Sequence, residues 1–208
     1  KAAFQTKAEI EIPFAGVAYQ KIYSFDEIAD KLYMKMHNMT IKTEILRGHQ
    51  IQIDEHCYYV DTEYITYPIP YVNTICFVDA FVYYYRLGRE GQSVGMDKMQ
   101  KNEQNYDKVL ASLLHFYQQL GRELPCTQAK KQYIARLIAR VIAGKFKIML
   151  SFPPSEEKKQ QIKQYDKHLK TQYRDIYDSN INKAVALLRK TQYHTYYLAN
   201  MLVRRTYR

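Results

Sequence analysis

The chain has 208 residues and a formal net charge of +10, a length that accommodates one or two globular domains. Hydrophobic residues make up 47% and charged residues 25%, which is ordinary for a globular protein. No apolar stretch reaches the roughly 18 residues of a membrane-spanning helix, so no such helix is expected in this sequence. The basic charge favours acidic partners: phosphorylated substrates, anionic lipid or nucleic acid.

Cysteine usage indicates the redox compartment. The three cysteines are Cys57, Cys76 and Cys126. Their spacing fits no zinc pattern, and an odd number fits no closed disulfide framework. No signal-peptide pattern is present. Together these features predict a reduced, cytoplasmic protein.

The first half of the chain predicts a mixture of short strands and helices. Ser24 followed by Glu27 forms a capping-box pattern, which predicts a helix through about Met34. Gly48 predicts the end of a short helix over 39–47, because glycine readily adopts a left-handed C-cap. The segment 60–67 fits a helix or a strand, and Pro68 ends it. Strands are predicted over 8–12, 17–23, 51–53 and 74–85, the last of them buried.

The second half predicts helices. Apolar residues recur at helical spacing in four stretches, and Ser155 can cap the third helix after two prolines. The stripes are Tyr106, Val109, Leu110, Leu113 and Tyr117; Tyr133, Ile134, Leu137, Ile138, Val141 and Ile142; Ile162, Tyr165, Leu169, Tyr173 and Ile176; and Ala184, Leu187 and Leu188. This pattern predicts a bundle of about four helices. The expected fold class is α+β, with a mixed part over 1–96 and a helical extension over 97–208.

Three motifs lie between residues 36 and 94. They are MHNMT at 36–40 followed by KTE at 42–44; YVDTEY at 59–64 running into YPIPYV at 67–72; and YYYRLGREGQSV at 83–94. In this order and at these separations they resemble family-2 glycosyltransferases of Gram-positive bacteria, of the kind found in surface-polysaccharide clusters. The resemblance covers about residues 1–120, and the helical tail fits it only loosely.

The resemblance implies a GT-A fold. In that fold an N-terminal nucleotide-binding part carries an Asp-x-Asp motif for a divalent metal, Mg or Mn, on the donor diphosphate. The later part supplies the acceptor wall, an acidic general base and a loop over the diphosphate. This sequence begins after the Asp-x-Asp region, so the metal ligands are expected in a part it lacks. On its own the chain is expected to bind nucleotide sugars poorly and to be inactive.

Asp61 matches the family's catalytic base by its spacing to the aromatic Tyr64. An inverting transfer needs a base to take the proton of the acceptor hydroxyl. Val60 stands where the family usually has a Glu, which leaves Asp61 and Glu63 both open for the role. The alternative is that Asp61 caps a helix, a common position for Asp.

The resemblance implies that the loop within the third motif, residues 88–93, contacts the donor diphosphate. Arginine can bind phosphate oxygens in bidentate fashion, and glycines let the backbone approach a phosphate. The alternative is a mobile surface loop with solvated charges. The candidate donor-binding residues are Arg86, Arg89, Gln92 and Ser93.

The first motif is expected on the acceptor side. There Asn38 and Thr40 could hydrogen-bond sugar hydroxyls, and His37 and Glu63 complete the candidate acceptor-binding set. A lone histidine is more often structural, and that alternative stays open for His37. No metal-ligand spacing surrounds His56, so no metal is expected there.

The C-terminal stretch from Lys183 combines basic and apolar residues. Such a helix can lie on an anionic membrane at the inner face of the cell membrane. The alternative is a packed helix with a solvated basic face. The basic residues are Arg189, Lys190, Arg204, Arg205 and Arg208, interleaved with Tyr193, Tyr196, Tyr197, Leu198, Met201 and Leu202.

The expected function is part of an inverting glycosyltransferase. It would move a sugar from a nucleotide-sugar donor to a glycan or lipid-linked acceptor in surface-polysaccharide synthesis. The alternative is a catalytically inactive, truncated helical partner of a full-length transferase. Nucleic-acid binding is not expected, because the basic residues are spread along the chain and no recognition motif is present. The donor sugar, the linkage and the oligomeric state are not indicated.

Overall fold

The computed structural model describes residues 16–80, 82–83 and 95–206. In this part of the chain the protein is mostly helical with one small sheet, which agrees with the predicted α+β class. Strand β1 (Ile22–Ser24) pairs antiparallel with β2 (Thr74–Cys76). The sheet joins two segments about fifty residues apart.

The predicted strands are largely wrong in extent. Residues 51–53 form no strand, and the predicted strand 17–23 is reduced to β1 because Gln20 has a φ of 59° that turns the chain. Val78 and Val82 are two-thirds exposed, so the segment after Cys76 is not a buried strand. An apolar or alternating pattern forms a strand only where a neighbouring strand can pair with it. In β2 only three residues have such a partner. The predicted strand 8–12 lies outside the described residues.

The helix predicted from the capping box is shorter than expected. Helix α1 (Phe25–Ile28) continues as a 3₁₀ turn at Ala29–Lys31 and does not reach Met34. Contacts with a distant helix replace the helical hydrogen bonds at this point. The Ala29 carbonyl accepts from Arg136 at 2.6 Å, and the Met34 amide donates to the Tyr133 hydroxyl at 3.4 Å.

Helix α2 (Thr43–Gly48) ends at Gly48 as predicted, but that glycine is not left-handed. The left-handed residue is Gln50, with a φ of 49°. The Ile51 amide donates back to the Leu46 carbonyl at 3.0 Å and closes the helix end around Gln50. Helix α3 (Asp61–Thr66) follows, so the open choice between helix and strand resolves to helix. Two further 3₁₀ turns are Met36–Asn38 and Ile69–Tyr71.

The second half is helical, as predicted. Ser155 caps the third long helix, because its hydroxyl accepts from the Lys158 amide at 3.1 Å. The third apolar stripe is divided at Tyr173, where the helical φ/ψ are interrupted. The helices are α4 (Met96–Lys101), α5 (Glu103–Gln119), α6 (Gln128–Ser151), α7 (Glu156–Gln172), α8 (Arg174–Asp178), α9 (Lys183–Lys190) and α10 (Tyr196–Thr206).

Helix α6 is the centre of the core. It packs against α5, α8 and α10 on the helical side and against α1, α3 and the Ala29–Lys31 turn on the mixed side. Fully burying one large apolar side chain contributes about 1.5–3 kcal/mol, and α6 buries many of them. Side chains at most 1% exposed on α6 are Tyr133, Ile134, Ala135, Ile138, Phe146 and Ile148.

The side of α9 that packs on the core differs from the predicted apolar stripe. Val185 and Leu188 are buried, whereas Leu187 is half exposed and Ala184 is exposed. Asn182 fixes the start of the helix by accepting from the amides of residues 184 and 185. Buried side chains from both sides of residue 96, from Phe25 to Tyr196, form one core. The division of the chain at residue 96 stays a prediction.

Candidate functional site

The first motif contacts the second motif and the first residue of the third. The Met36–Asn38 turn of the first motif packs against α3, which carries the second. The His37 ring stacks on the ring of Tyr83, where the third motif begins, with centroids 4.6 Å apart and an interplanar angle of 6°. The fold therefore brings together segments almost fifty residues apart in sequence.

The candidate donor-binding residues Arg86, Arg89, Gln92 and Ser93 lie outside the described residues, so their role stays a prediction. Tyr83 is the last described residue before them. Its ring stacks on His37 of the Met36–Asn38 turn.

Asp61 begins α3. Val60 occupies the cap position, so Asp61 is the first helical residue and not the N-cap. Its carboxylate still stabilises the helix there, because acidic groups in the first turn interact favourably with the unpaired amides. The side chain is exposed and lines a cavity of about 210 Å³ together with Tyr59, Thr62 and Tyr106.

The cavity wall combines aromatic rings with hydroxyl groups. Tyr59 adopts a left-handed φ of 73°, a conformation that costs a non-glycine residue free energy and is held by its surroundings. Its ring packs on Tyr106 with centroids 5.2 Å apart. The Tyr106 hydroxyl donates to the Val141 carbonyl at 2.7 Å and is fixed by it. Burial raises the pKa of Tyr59, so its hydroxyl stays protonated and can donate a hydrogen bond.

Glu63 lies two positions further along the same helix and is fully buried. One carboxyl oxygen accepts from the Asp54 amide at 2.8 Å. Burial raises the pKa of Glu63, and the nearby Asp54 charge adds to the shift. In this structure no part of the Glu63 side chain reaches the surface, so its predicted contact with the acceptor stays a prediction.

Asp54 connects Glu63 to helix α5. Its carboxylate pairs with Lys108 at 3.0 Å and accepts from the Ser112 hydroxyl at 3.2 Å. Burial alone would raise the pKa of Asp54, but the hydrogen bonds from Lys108 and Ser112 and the Lys108 charge outweigh it and lower the pKa. Glu63 and Asp54 thus tie the irregular segment before α3 to both α3 and α5.

The other acceptor-side candidates differ in exposure. His37 is half-buried under the Tyr83 stack, whereas Asn38 and Thr40 are exposed. The Asn38 side-chain oxygen accepts from the Lys35 amide at 3.0 Å and so stabilises its own turn. Thr40 lies in the extended segment before α2. His37 and Asn38 lie on the turn beside α3, whereas Thr40 follows that turn.

Sequence reasoning did not single out the residues that organise this site. Lys108 and Ser112 lie one turn apart on α5, but only the fold brings Asp54 to them. Tyr106 was assigned to an apolar stripe, and its buried ring also lines the cavity. The i, i+4 spacing of Lys108 and Ser112 was the one signal available, and by itself it predicts only a polar helix face.

The buried Glu63 carboxyl predicts a pH dependence of stability. A carboxyl whose pKa is raised on folding stabilises the protein below its unfolded value, here 4.5, and loses that contribution as pH rises through the folded value. We expect the free energy of unfolding of the wild type, relative to the Glu63→Gln variant, to be larger at pH 4.5 than at pH 7. Urea denaturation at both pH values measures it. A difference that does not change with pH would show that Glu63 titrates normally.

Within residues 16–80, 82–83 and 95–206, no group of three or more His, Cys, Asp and Glu side chains could hold a metal ion. In the same part of the chain, no helix has both the length and the apolar character needed to cross a membrane. Comparison of the chain with protein families, with curated proteins and with solved structures found no match.

Proposed function

We propose that this chain is the acceptor-side part of an inverting glycosyltransferase with a GT-A catalytic domain. The enzyme would move a sugar from a nucleotide-sugar donor to a glycan or lipid-linked acceptor in surface-polysaccharide synthesis. One observation carries the proposal. The first motif of the resemblance contacts the second motif and the first residue of the third, with the Met36–Asn38 turn against α3 and His37 on Tyr83.

Asp61 suits the role of general base better than Glu63. A base must reach the acceptor hydroxyl within hydrogen-bond distance, and Asp61 is exposed at the cavity whereas Glu63 is fully buried. In the proposed reaction the Asp61 carboxylate takes the proton of the acceptor hydroxyl. The acceptor oxygen bonds to the anomeric carbon from the face opposite the diphosphate, whose bond to that carbon breaks, so the configuration inverts.

The cavity suits a sugar ring. At about 210 Å³ it is smaller than the roughly 300–1,000 Å³ of a site for a drug-sized ligand. Tyr59 and Tyr106 offer ring faces, and Tyr59 and Thr62 offer hydroxyl groups beside the carboxylate of Asp61. Aromatic rings with a polar tip can pack on an apolar face and hydrogen-bond at once.

Glu63 acts in this proposal as a positioning residue. Its bond to the Asp54 amide, and the bonds of Asp54 to Lys108 and Ser112, hold the segment before α3. Asp61 is two residues from Glu63 on the same short helix, so its direction depends on this network. The donor diphosphate is assigned to Arg86, Arg89, Gln92 and Ser93, and the ligands of a divalent metal are assigned outside the described residues.

Release of nucleoside diphosphate tests the proposed function. The full-length protein is incubated with membranes as acceptor source, Mg²⁺ or Mn²⁺, and uridine-, guanosine- and thymidine-diphosphate sugars in turn. We expect acceptor-dependent release with one donor. No release with any donor, from a protein that binds a second full-length transferase, would replace the proposal with the inactive helical partner.

A further inference from the structure

The last helix, α10, carries apolar side chains on two faces. Tyr196 and Asn200 are buried against the core, and α10 packs on α6 and α9. The opposite face is also apolar, since Leu198, Met201 and Leu202 are 51%, 54% and 52% exposed. These three lie at i, i+3 and i+4, so they form one continuous stripe. We call Leu198, Met201, Leu202 and Arg205 the outer face of α10.

Basic groups lie at the end of this stripe. Arg205 is one turn beyond Met201 on the same face, and Arg204 lies at its edge. Residues 179–208 contain no Asp or Glu and six basic residues, which are Lys183, Arg189, Lys190, Arg204, Arg205 and Arg208. In the described part of that segment Arg189 is bound to Asp166. The segment that carries the outer face is therefore cationic as well as apolar, although Tyr197 at its edge also contacts Glu156 of α7.

Both alternatives for the C-terminal stretch stay predictions: α10 packs on α6 and α9, and its outer face exposes apolar side chains together with Arg205. The stretch from Lys183 divides into α9 and α10 at a tight turn, where Gln192 and Tyr193 have φ of 49° and 69°. The turn rotates α10 so that three large apolar side chains point to solvent. A helix face of apolar residues with flanking Arg and an aromatic edge, here Tyr197 at 49% exposure, is typical of helices that lie in a membrane interface.

We propose that the outer face of α10 docks on the surface of an anionic lipid bilayer. Leu198, Met201 and Leu202 insert between the headgroups, and Arg204 and Arg205 contact lipid phosphates. Charge complementarity favours lipid over a second copy of the chain. A second copy's α9–α10 segment would offer these arginines no counterion, because residues 179–208 contain no Asp or Glu, whereas a lipid bilayer supplies phosphates. The proposal stands apart from the transferase reaction, and its test uses neither donor nor acceptor.

Vesicle flotation tests the proposal. The full chain is mixed with vesicles of phosphatidylcholine alone, or of phosphatidylcholine with phosphatidylglycerol, at low and high salt. We expect flotation with the anionic vesicles that weakens at high salt. Leu198→Gln with Leu202→Gln is expected to lower binding about tenfold, because two half-exposed leucines no longer insert. The double variant Arg204→Gln with Arg205→Gln is expected to lower binding to the anionic vesicles by about fivefold for each charge removed. This loss is expected at low salt only.

Ile22→Gln with Val78→Gln is the matched control. These side chains, on and just beyond the sheet, are also exposed, and the pair should float like the wild type. Equal flotation of the Leu198 and Leu202 variant would overturn the proposal. So would a wild type that does not float but forms a dimer, measured by analytical ultracentrifugation, that this variant dissociates. That second result would assign the outer face to another copy of the chain.

Discussion

Replacing Asp61 with Asn in the complete enzyme is expected to lower turnover by about 10²–10⁴, the usual loss when a general base is removed. Asparagine keeps the size and shape of the side chain but cannot accept the hydroxyl proton. Asp61 is exposed at the first position of α3, so few contacts are lost. The melting temperature and the affinity for the donor should therefore stay nearly unchanged. Initial rates of diphosphate release, with donor binding by calorimetry, measure these effects.

Glu63→Gln is the control for Asp61→Asn. Gln keeps an oxygen that can accept from the Asp54 amide, so the network that positions α3 remains. We expect a much smaller loss of turnover than for Asp61→Asn. If Glu63→Gln abolishes turnover and Asp61→Asn does not, the base is two residues further along. If Asp61→Asn mainly lowers the melting temperature, Asp61 serves to stabilise the start of α3.

The sequence predicted the helices better than the strands, and the reason is physical. A long amphipathic helix satisfies its own backbone, so the spacing in α5 and α6 was sufficient to predict them. A strand depends on a partner that the local pattern does not contain. The alternation at 51–53 found no partner, and the pattern over 74–85 paired only at Thr74–Cys76.

From the sequence, the candidate site could be predicted only at residues that belong to one of the three motifs. Asp61 came from the spacing to Tyr64, and its exposure at the cavity agrees with a base. The sequence could not predict which of Asp61 and Glu63 is exposed, because the burial of Glu63 depends on Asp54 and α5 folding over it. On a short helix, two positions are enough to turn one carboxyl outward and the other inward.

Helix α10 is a third case in which the sequence pattern did not predict the structure. Its sequence has apolar residues all round, which ordinarily predicts a buried helix. Packing on one side buries Tyr196 and Asn200, and the turn before it leaves the outer face uncovered. Which of two apolar faces meets the core is decided by that turn and not by the helix pattern.

The ion pair of Asp166 and Arg189 is expected to contribute most among the polar contacts of the helical part. Asp166 on α7 and Arg189 on α9 have side chains 7% and 13% exposed, and the Nη2–Oδ1 distance is 2.8 Å. A second bond from Nε to Oδ1 is 3.0 Å long. Arg189 also donates to the Tyr177 carbonyl at 2.9 Å and lies 3.6 Å from the centroid of that ring. The guanidinium thus joins three helices.

Asp166→Ala is therefore expected to lower the free energy of unfolding by about 3–5 kcal/mol, because it leaves a mostly buried guanidinium without its counterion. For a domain of this size the melting temperature should fall by roughly 10 °C. Asp178→Ala is the matched control. Asp178 pairs with Arg174 at 2.6 Å, but both side chains are more than half exposed. Exposed pairs contribute little, so this variant should unfold within a few degrees of the wild type. Thermal unfolding followed by circular dichroism compares the two variants, and equal small shifts would show that the Asp166 pair contributes no more than one at the surface.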